Sequence, residues 1–173
     1  MAFDECTVKS LEIPDTVTEL EECALGSIYD LEYLKLPKHL KTLPKGLVAH
    51  AYALKEIVFP EDLEKIEDSV FSYCGSLTEI TIPSSVRYIG NEAFNGCNSL
   101  SIITILNPNC TIFNDETTIS DTATIYGLKG STAETYANNF GRSFIELCPV
   151  CLQPTLSYVA EQPITCTDDG YTA

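Results

Sequence analysis

Prolines at 14, 37, 60 and 83 stand 23 residues apart, and around each the same apolar frame returns. The fullest copy carries Leu77, Ile80, Ile82, Pro83, Val86, Ile89, Ala93, Phe94, Cys97 and Leu100. One period earlier the frame reads Leu54, Ile57, Phe59, Pro60, Leu63, Ile66, Val70, Phe71 and Cys74. Before that come Leu31, Leu34, Leu36, Pro37, Leu40, Leu43, Val48 and Ala51, and first Leu11, Ile13, Pro14, Val17, Leu20, Ala24, Leu25 and Ile28. A fixed period of this length is the signature of a stacked-repeat protein.

Within one period, Ile80 and Ile82 alternate with Glu79 and Thr81, which predicts a short strand with one buried face. Pro83 follows and ends it, because proline cannot donate to a strand ladder. Val86 and Ile89 turn inward from the next segment. Ala93, Phe94 and Cys97 have the spacing of a single helical turn leading back to the next strand. One such unit cannot enclose a core; its inner face is covered only when copies stack above and below. Each buried Leu, Ile or Phe contributes roughly 1.5–3 kcal/mol, so several aligned coils overcome an ordering cost that one cannot.

The string from Leu77 to Cys97, with its strand-plus-proline half and its Ala93-Phe94-x-x-Cys97 half, resembles the BspA-type (Treponema-like) leucine-rich repeat. That family occurs in surface proteins of anaerobic and gut bacteria and in some mucosal protists. The resemblance covers roughly residues 1–147. It implies a right-handed stack acting outside the cell as an adhesion or interaction module. The run from Thr124 to Gly127 and on through Ser131 to Ala137 is similar to the closing segment of gut-bacterial members of the family.

The 173 residues suit one domain, or one domain with a tail. A formal net charge of −15 argues against a nucleic-acid or anionic-membrane surface, either of which needs a basic patch. No apolar run approaches the roughly 18 residues of a membrane helix, so no membrane insertion is expected. Ala2-Phe3-Asp4-Glu5-Cys6 matches Ala93-Phe94-Asn95-Gly96-Cys97, and no signal peptide is visible. The expectation is therefore a piece of a longer protein, beginning inside a repeat, with any export signal upstream or removed.

The fold class expected is an α/β repeat: a leucine-rich-repeat solenoid of about five 23-residue coils with a parallel strand ladder. Residues 1–106 are assigned to the repeats, the first coil truncated. Pro44-Lys45-Gly46 and Val48-Ala49-His50-Ala51 depart from the frame and predict a local distortion. Asn107-Pro108-Asn109 breaks the frame after the strand at Ile103 and Ile105, so residues 107–147 are read as a C-terminal cap. Ser131 and Glu134 form a capping box for a short helix whose apolar face is Ala133, Tyr136, Ala137 and Phe140, with Gly141 as its stop. Residues 148–173 form a Cys-rich tail, similar to part of the tandem Cys-rich modules that follow such repeats.

Candidates for chemistry are few. Cys74 and Cys97 share a repeat position with Ile28 and Ala51, which marks a small buried apolar site rather than a reactive thiol. Cys148 and Cys151, with Cys166 nearby, leave open a disulfide, free thiols, part of a zinc site or a redox pair. His39 and His50 read as surface residues. No constellation for catalysis, no cofactor and no metal site is expected.

The candidate binding face comes from the strand alternation. Outward positions form two ladders, Ser10, Tyr33, Glu56, Glu79, Ile102 and Glu12, Lys35, Val58, Thr81, Thr104, on one continuous sheet with strands about 4.8 Å apart. Tyr33, flanked by Lys35 and Glu56, is the anchor candidate, since aromatics are enriched at hot spots. The functional expectation is a non-enzymatic protein-binding or adhesion module, monomeric, facing an extracellular or host protein. The alternative is a structural spacer within a larger surface protein.

Overall fold

Every 23 residues the backbone returns to the same place. The computed structural model describes residues 7–148. In chain order the strands are β1 (Ser10–Glu12), β2 (Tyr33–Lys35), β3 (Thr42–Leu43), β4 (Glu56–Val58), β5 (Lys65–Ile66), β6 (Glu79–Ile82), β7 (Tyr88–Ile89), β8 (Ile102–Ile105), β9 (Thr111–Ile112) and β10 (Thr124–Gly127). Helix α1 (Thr132–Asn139) and β11 (Phe144–Glu146) complete the described part. All pairings are parallel, and in the repeats equivalent residues pair 23 apart, as in Leu11↔Leu34 and Ile80↔Ile103. The winding is a parallel-strand solenoid of about six turns with one short helix near its C-terminal end.

The sides of each coil follow from the apolar frame. The strands of the expected ladder bury alternate residues: Ile80 and Ile82 point inward, while Glu79 and Thr81 face solvent. A second ladder runs β3-β5-β7-β9 and places Leu43, Ile66 and Ile89 in the core. The returning side is not the helical turn expected from Ala93, Phe94 and Cys97. It is a run of turns in which alternate residues donate to the next coil: Leu25 N–H to Leu47 O, Val48 N–H to Val70 O and Phe71 N–H to Ala93 O, at 2.9–3.1 Å. This geometry needs left-handed backbone at two points per coil. Positive φ recurs at Cys23, Gly46, Ser69 and Glu92, and again at Ser27, His50, Tyr73 and Gly96. A helix cannot hold such residues, which is why the i, i+1, i+4 spacing misleads here. Gly46 takes the same left-handed position as Cys23, Ser69 and Glu92, and Gly46, Val48 and His50 N–H donate to the next coil at Asp68, Val70 and Ser72 O, so the distortion expected in that coil is absent from the return side.

The stack does not stop at Leu106. Asn107 breaks the frame but ties it down again, its side-chain amide donating to Val86 O at 2.8 Å. Thr111 and Ile112 then pair with Tyr88 and Ile89, and Phe94 bridges to Ile119. The segment read as a cap therefore carries two more ladder strands, β9 and β10, before the covering element arrives. That element is α1. Ser131 Oγ accepts from Glu134 N–H at 3.2 Å, and the Glu134 carboxylate accepts from Gly130 N–H at 2.6 Å. Gly141 (φ 62°) closes the helix, with Arg142 N–H reaching back to Ala137 O at 2.8 Å. Tyr136 is on the buried face of α1, its hydroxyl donating to Asp115 O and accepting from Ile119 N–H.

Candidate binding surfaces

The outward ladders form, but not on one sheet. Ser10, Tyr33 and Glu56 lie in register, as do Glu12, Lys35 and Val58. Glu79 is in register with Ile102, and Thr81 with Thr104. Between these two sets the sheet is open: β4 ends the three-stranded sheet β1-β2-β4, and β6 begins the sheet β6-β8-β10-β11. The continuous sheet expected from the repeat is thus corrected to two. Among the described residues, the strand-side bonds that join the coils elsewhere, Lys55 N–H to Glu32 O and Ser101 N–H to Thr78 O (both 2.9 Å), have no counterpart between residues 78 and 55, whereas the turn-side bonds Phe71 N–H to Ala93 O and Tyr73 N–H to Asn95 O persist at 2.7–2.9 Å. Behind the opening the second ladder is unbroken, Lys65 pairing with Tyr88. The coils are splayed along one edge only.

An open cleft of about 320 Å³ lies at the opening and extends across β6 to β8, lined by Lys55, Glu56, Ile57, Phe59, Glu79, Ile80, Thr81, Ile102 and Thr104. Ile57 and Phe59 are half-buried there, whereas their equivalents Leu34, Leu36, Ile80, Ile82, Ile103 and Ile105 are buried. Phe59 is also the largest residue at its repeat position, where Ile13, Leu36, Ile82 and Ile105 stand in other coils, and its ring lies edge-on to Phe71 at 6.0 Å.

Charge on this face is used from coil to coil in the N-terminal half. Glu32 bridges Lys9 (3.1 Å) and Lys55 (2.7 Å), and Lys35 bridges Glu12 (3.0 Å). The two lysines hold the Glu32 carboxyl below its ordinary range, that of Lys55 most strongly. Tyr33 sits half-buried between these pairs. Glu56 and Glu79 are exposed and enter no ion pair among the described residues.

The turn side carries a second surface that the strand reasoning missed. Tyr29 stacks on Tyr52 (5.4 Å between rings) and His50 on Tyr73 (4.9 Å), with His50 Nδ1 3.1 Å from the Tyr52 hydroxyl. The three tyrosines are each about half exposed. Tyr73 lies against Gly96, where a Cβ would fall 2.6 Å from the ring. The signal was present in the sequence: Tyr29 and Tyr52, and His50 and Tyr73, are both one period apart.

His39 is on the surface, its Nδ1 2.8 Å from Asp62, whose hydrogen bond and charge raise the imidazole pKa. Cys74 and Cys97 are fully buried, their thiols donating to Val48 O and Phe71 O. Burial pushes the Cys74 thiol well up, and those of Cys97 and Cys110 to about 12. These are core groups, as the repeat position implied. Cys6, Cys151 and Cys166 lie outside the described residues. Among the described residues no three His, Cys, Asp or Glu side chains converge to hold a metal, and no helix is long and apolar enough to cross a membrane.

Parallel strands wound at this period, with the leucine frame inside, define a leucine-rich-repeat solenoid. Residues 1–122 match the family described as "BspA type Leucine rich repeat region (6 copies)", and the chain belongs to that family. Solved structures agree. A leucine-rich repeat protein of T. pallidum superposes with a TM-score of 0.63 at 21% identity, over 68% of this chain and 58% of that one. A leucine-rich cell surface protein of Faecalibacterium prausnitzii A2-165 gives 0.57 at 33% identity, over 60% and 28%. A leucine-rich repeat protein from Bacteroides ovatus gives 0.56 at 26% identity, over 85% and 45%. The chain matches between 28% and 58% of the length of these three proteins. No curated protein sequence matches it. The repeat fold is of the type found in bacterial surface proteins.

Proposed function

We propose that this chain is a protein-binding module of a secreted or cell-surface protein, acting as a monomer, with no chemistry of its own. Its partner is an extracellular or host protein. The observation that carries the reading is the strand face, where outward side chains from successive coils stand in register and open to solvent. Repeat proteins present extended partners with surfaces of this kind. Surface location is supported by the F. prausnitzii relative, which is a cell surface protein. On this face Tyr33 is the aromatic anchor, with Lys35 and Glu56 beside it.

The test is a binding screen of the full chain against host matrix and mucosal proteins, at low and physiological salt. Tyr33→Ala and Glu56→Lys run alongside, with melting temperatures measured for each. A salt-tolerant interaction lost in either variant at unchanged melting temperature supports the module and puts its contacts on the strand face. A hit indifferent to both variants removes the strand face, and the stacked tyrosines of the turn side become the next surface to alter. No hit at all favours a spacer that holds other domains apart.

A further inference from the structure

We propose that the opening between β4 and β6 receives an extended peptide segment of the partner, which enters as an additional parallel strand and places a basic residue between Glu56 and Glu79. The inference rests on the protein-binding reading above and specifies what is bound and where.

Three observations carry it. The first is the backbone. Strand β4 pairs with β2 on one side and β6 with β8 on the other; the edges facing each other across the opening are unpaired among the described residues. Unpaired strand edges are templates for a further strand, and main-chain bonds to such an edge are a recurrent mode of peptide capture. Here two parallel edges face one another, so an entering strand is held on both sides.

The second is the floor. Ile57 and Phe59 are left half-buried where the two adjacent coils bury the equivalent pairs, Leu34 with Leu36 and Ile80 with Ile82. The cleft of about 320 Å³ is within the range of ligand pockets. An entering strand would cover these side chains with its own inward residues.

The third is charge. Glu56 and Glu79 occupy the same repeat position on the two walls, and neither has a salt-bridge partner among the described residues, whereas Lys9, Lys35 and Lys55 are all engaged by Glu32 or Glu12. A lysine or arginine between the two carboxylates answers both. The net charge of −15 draws a basic segment in. The chain's own residues 149–173 contain no Lys or Arg, so they do not supply this group.

Register then dictates the sequence of the occupant. The residue between Glu56 and Glu79 faces out and is basic; the next lies between Ile57 and Ile80, faces in and is aliphatic. The third lies between Val58 and Thr81, faces out and is β-branched; the fourth lies over Phe59 and Ile82 and is aliphatic. The pattern is basic–aliphatic–β-branched–aliphatic.

The experiment is calorimetric titration of the full chain with a capped peptide carrying Lys-Ile-Thr-Val between Gly-Ser flanks. Two controls are a peptide with Glu for Lys and one with the tetrad reordered to Ile-Lys-Val-Thr. Both controls are expected to bind at least about tenfold more weakly, the scale of one lost charge-assisted contact. The E56K/E79K double variant, both sites being exposed, is expected to keep its melting temperature and to reverse the preference toward the Glu peptide. Amide exchange at residues 55–59 and 78–82 should slow on binding the Lys peptide. Equal binding of all three peptides, no binding, or no exchange protection at those residues overturns the proposal. If the full chain captures a protein in the screen above but the tetrad peptide fails, the cleft is refuted and the binding reading stands. If E56K/E79K leaves a captured protein's affinity unchanged, the outcome is the same.

Discussion

Removing the Phe71 ring should uncouple the two halves of the stack. Phe71 is fully buried, face to face with Phe94 (5.2 Å, 9°) and edge-on to Phe59 (6.0 Å, 88°). It joins the two coils whose strand ladder is open, an interface otherwise held by the second ladder and the turn-side bonds. Truncating a buried Phe to Ala costs about 3–5 kcal/mol in lost transfer energy and cavity, and the ring pairs account for part of that. Against a typical domain stability of about 5–15 kcal/mol this is a large share. With a urea slope of about 2 kcal/mol/M the midpoint should fall by roughly 1.5–2.5 M. In a one-dimensional stack the loss is concentrated at the weakest interface. Urea unfolding of Phe71→Ala followed by circular dichroism should therefore split into two steps. Amide exchange should show coils on one side of residue 71 opening before those on the other. Phe113→Ala, at a ring 42% exposed, is the control and should change stability by no more than about 0.5 kcal/mol. A loss below about 1 kcal/mol for Phe71→Ala would refute the packing argument. A full loss in one sharp transition would refute the weak-interface argument.

The His39 imidazole, next to Asp62, should titrate above its ordinary value of 6.5 by NMR and move back toward it in Asp62→Asn. Because the folded pKa is raised, the pair's stabilisation is complete below the unfolded pKa and disappears as pH rises through the folded one; a melting temperature that instead drops on acidification through that window in wild type but not in Asp62→Asn would contradict the assignment. Cys74, Cys97 and Cys110 should resist iodoacetamide in the native chain near pH 8 and react in urea, since burial keeps their thiols protonated. Peptide mapping that finds Cys97 fully alkylated in folded protein would show the core to be open. Glu92→Gly should stabilise the chain by up to about 1 kcal/mol, because relief of a left-handed non-glycine residue, roughly 1–2 kcal/mol, exceeds the entropy glycine adds. A destabilised Glu92→Gly would mean the side chain contributes more than its backbone costs.

The 23-residue recurrence of Leu34, Ile57, Ile80 and Ile103 was enough to place the strands, their parallel register and the core, because one buried face per coil leaves a single way to stack. Ser131, Glu134 and Gly141 likewise announced α1 and its stop, since capping depends on side chains a few residues apart. The second ladder was hidden because strands as short as Thr42–Leu43 contain no alternation to read. The turn side was hidden because its left-handed positions are filled by Cys23, Ser27, His50, Ser69, Tyr73 and Glu92, with glycine only at 46 and 96. Local sequence gives no glycine signal where packing between coils enforces the backbone. The stacked tyrosines were legible in spacing but not in orientation. Sequence by itself therefore determined the coil, the frame and the cap helix. The opening between β4 and β6 was decided only in three dimensions. Two coils with nearly the same frame pair along one ladder and part along the other, and that balance depends on how Phe59, Phe71 and Phe94 share the space between them.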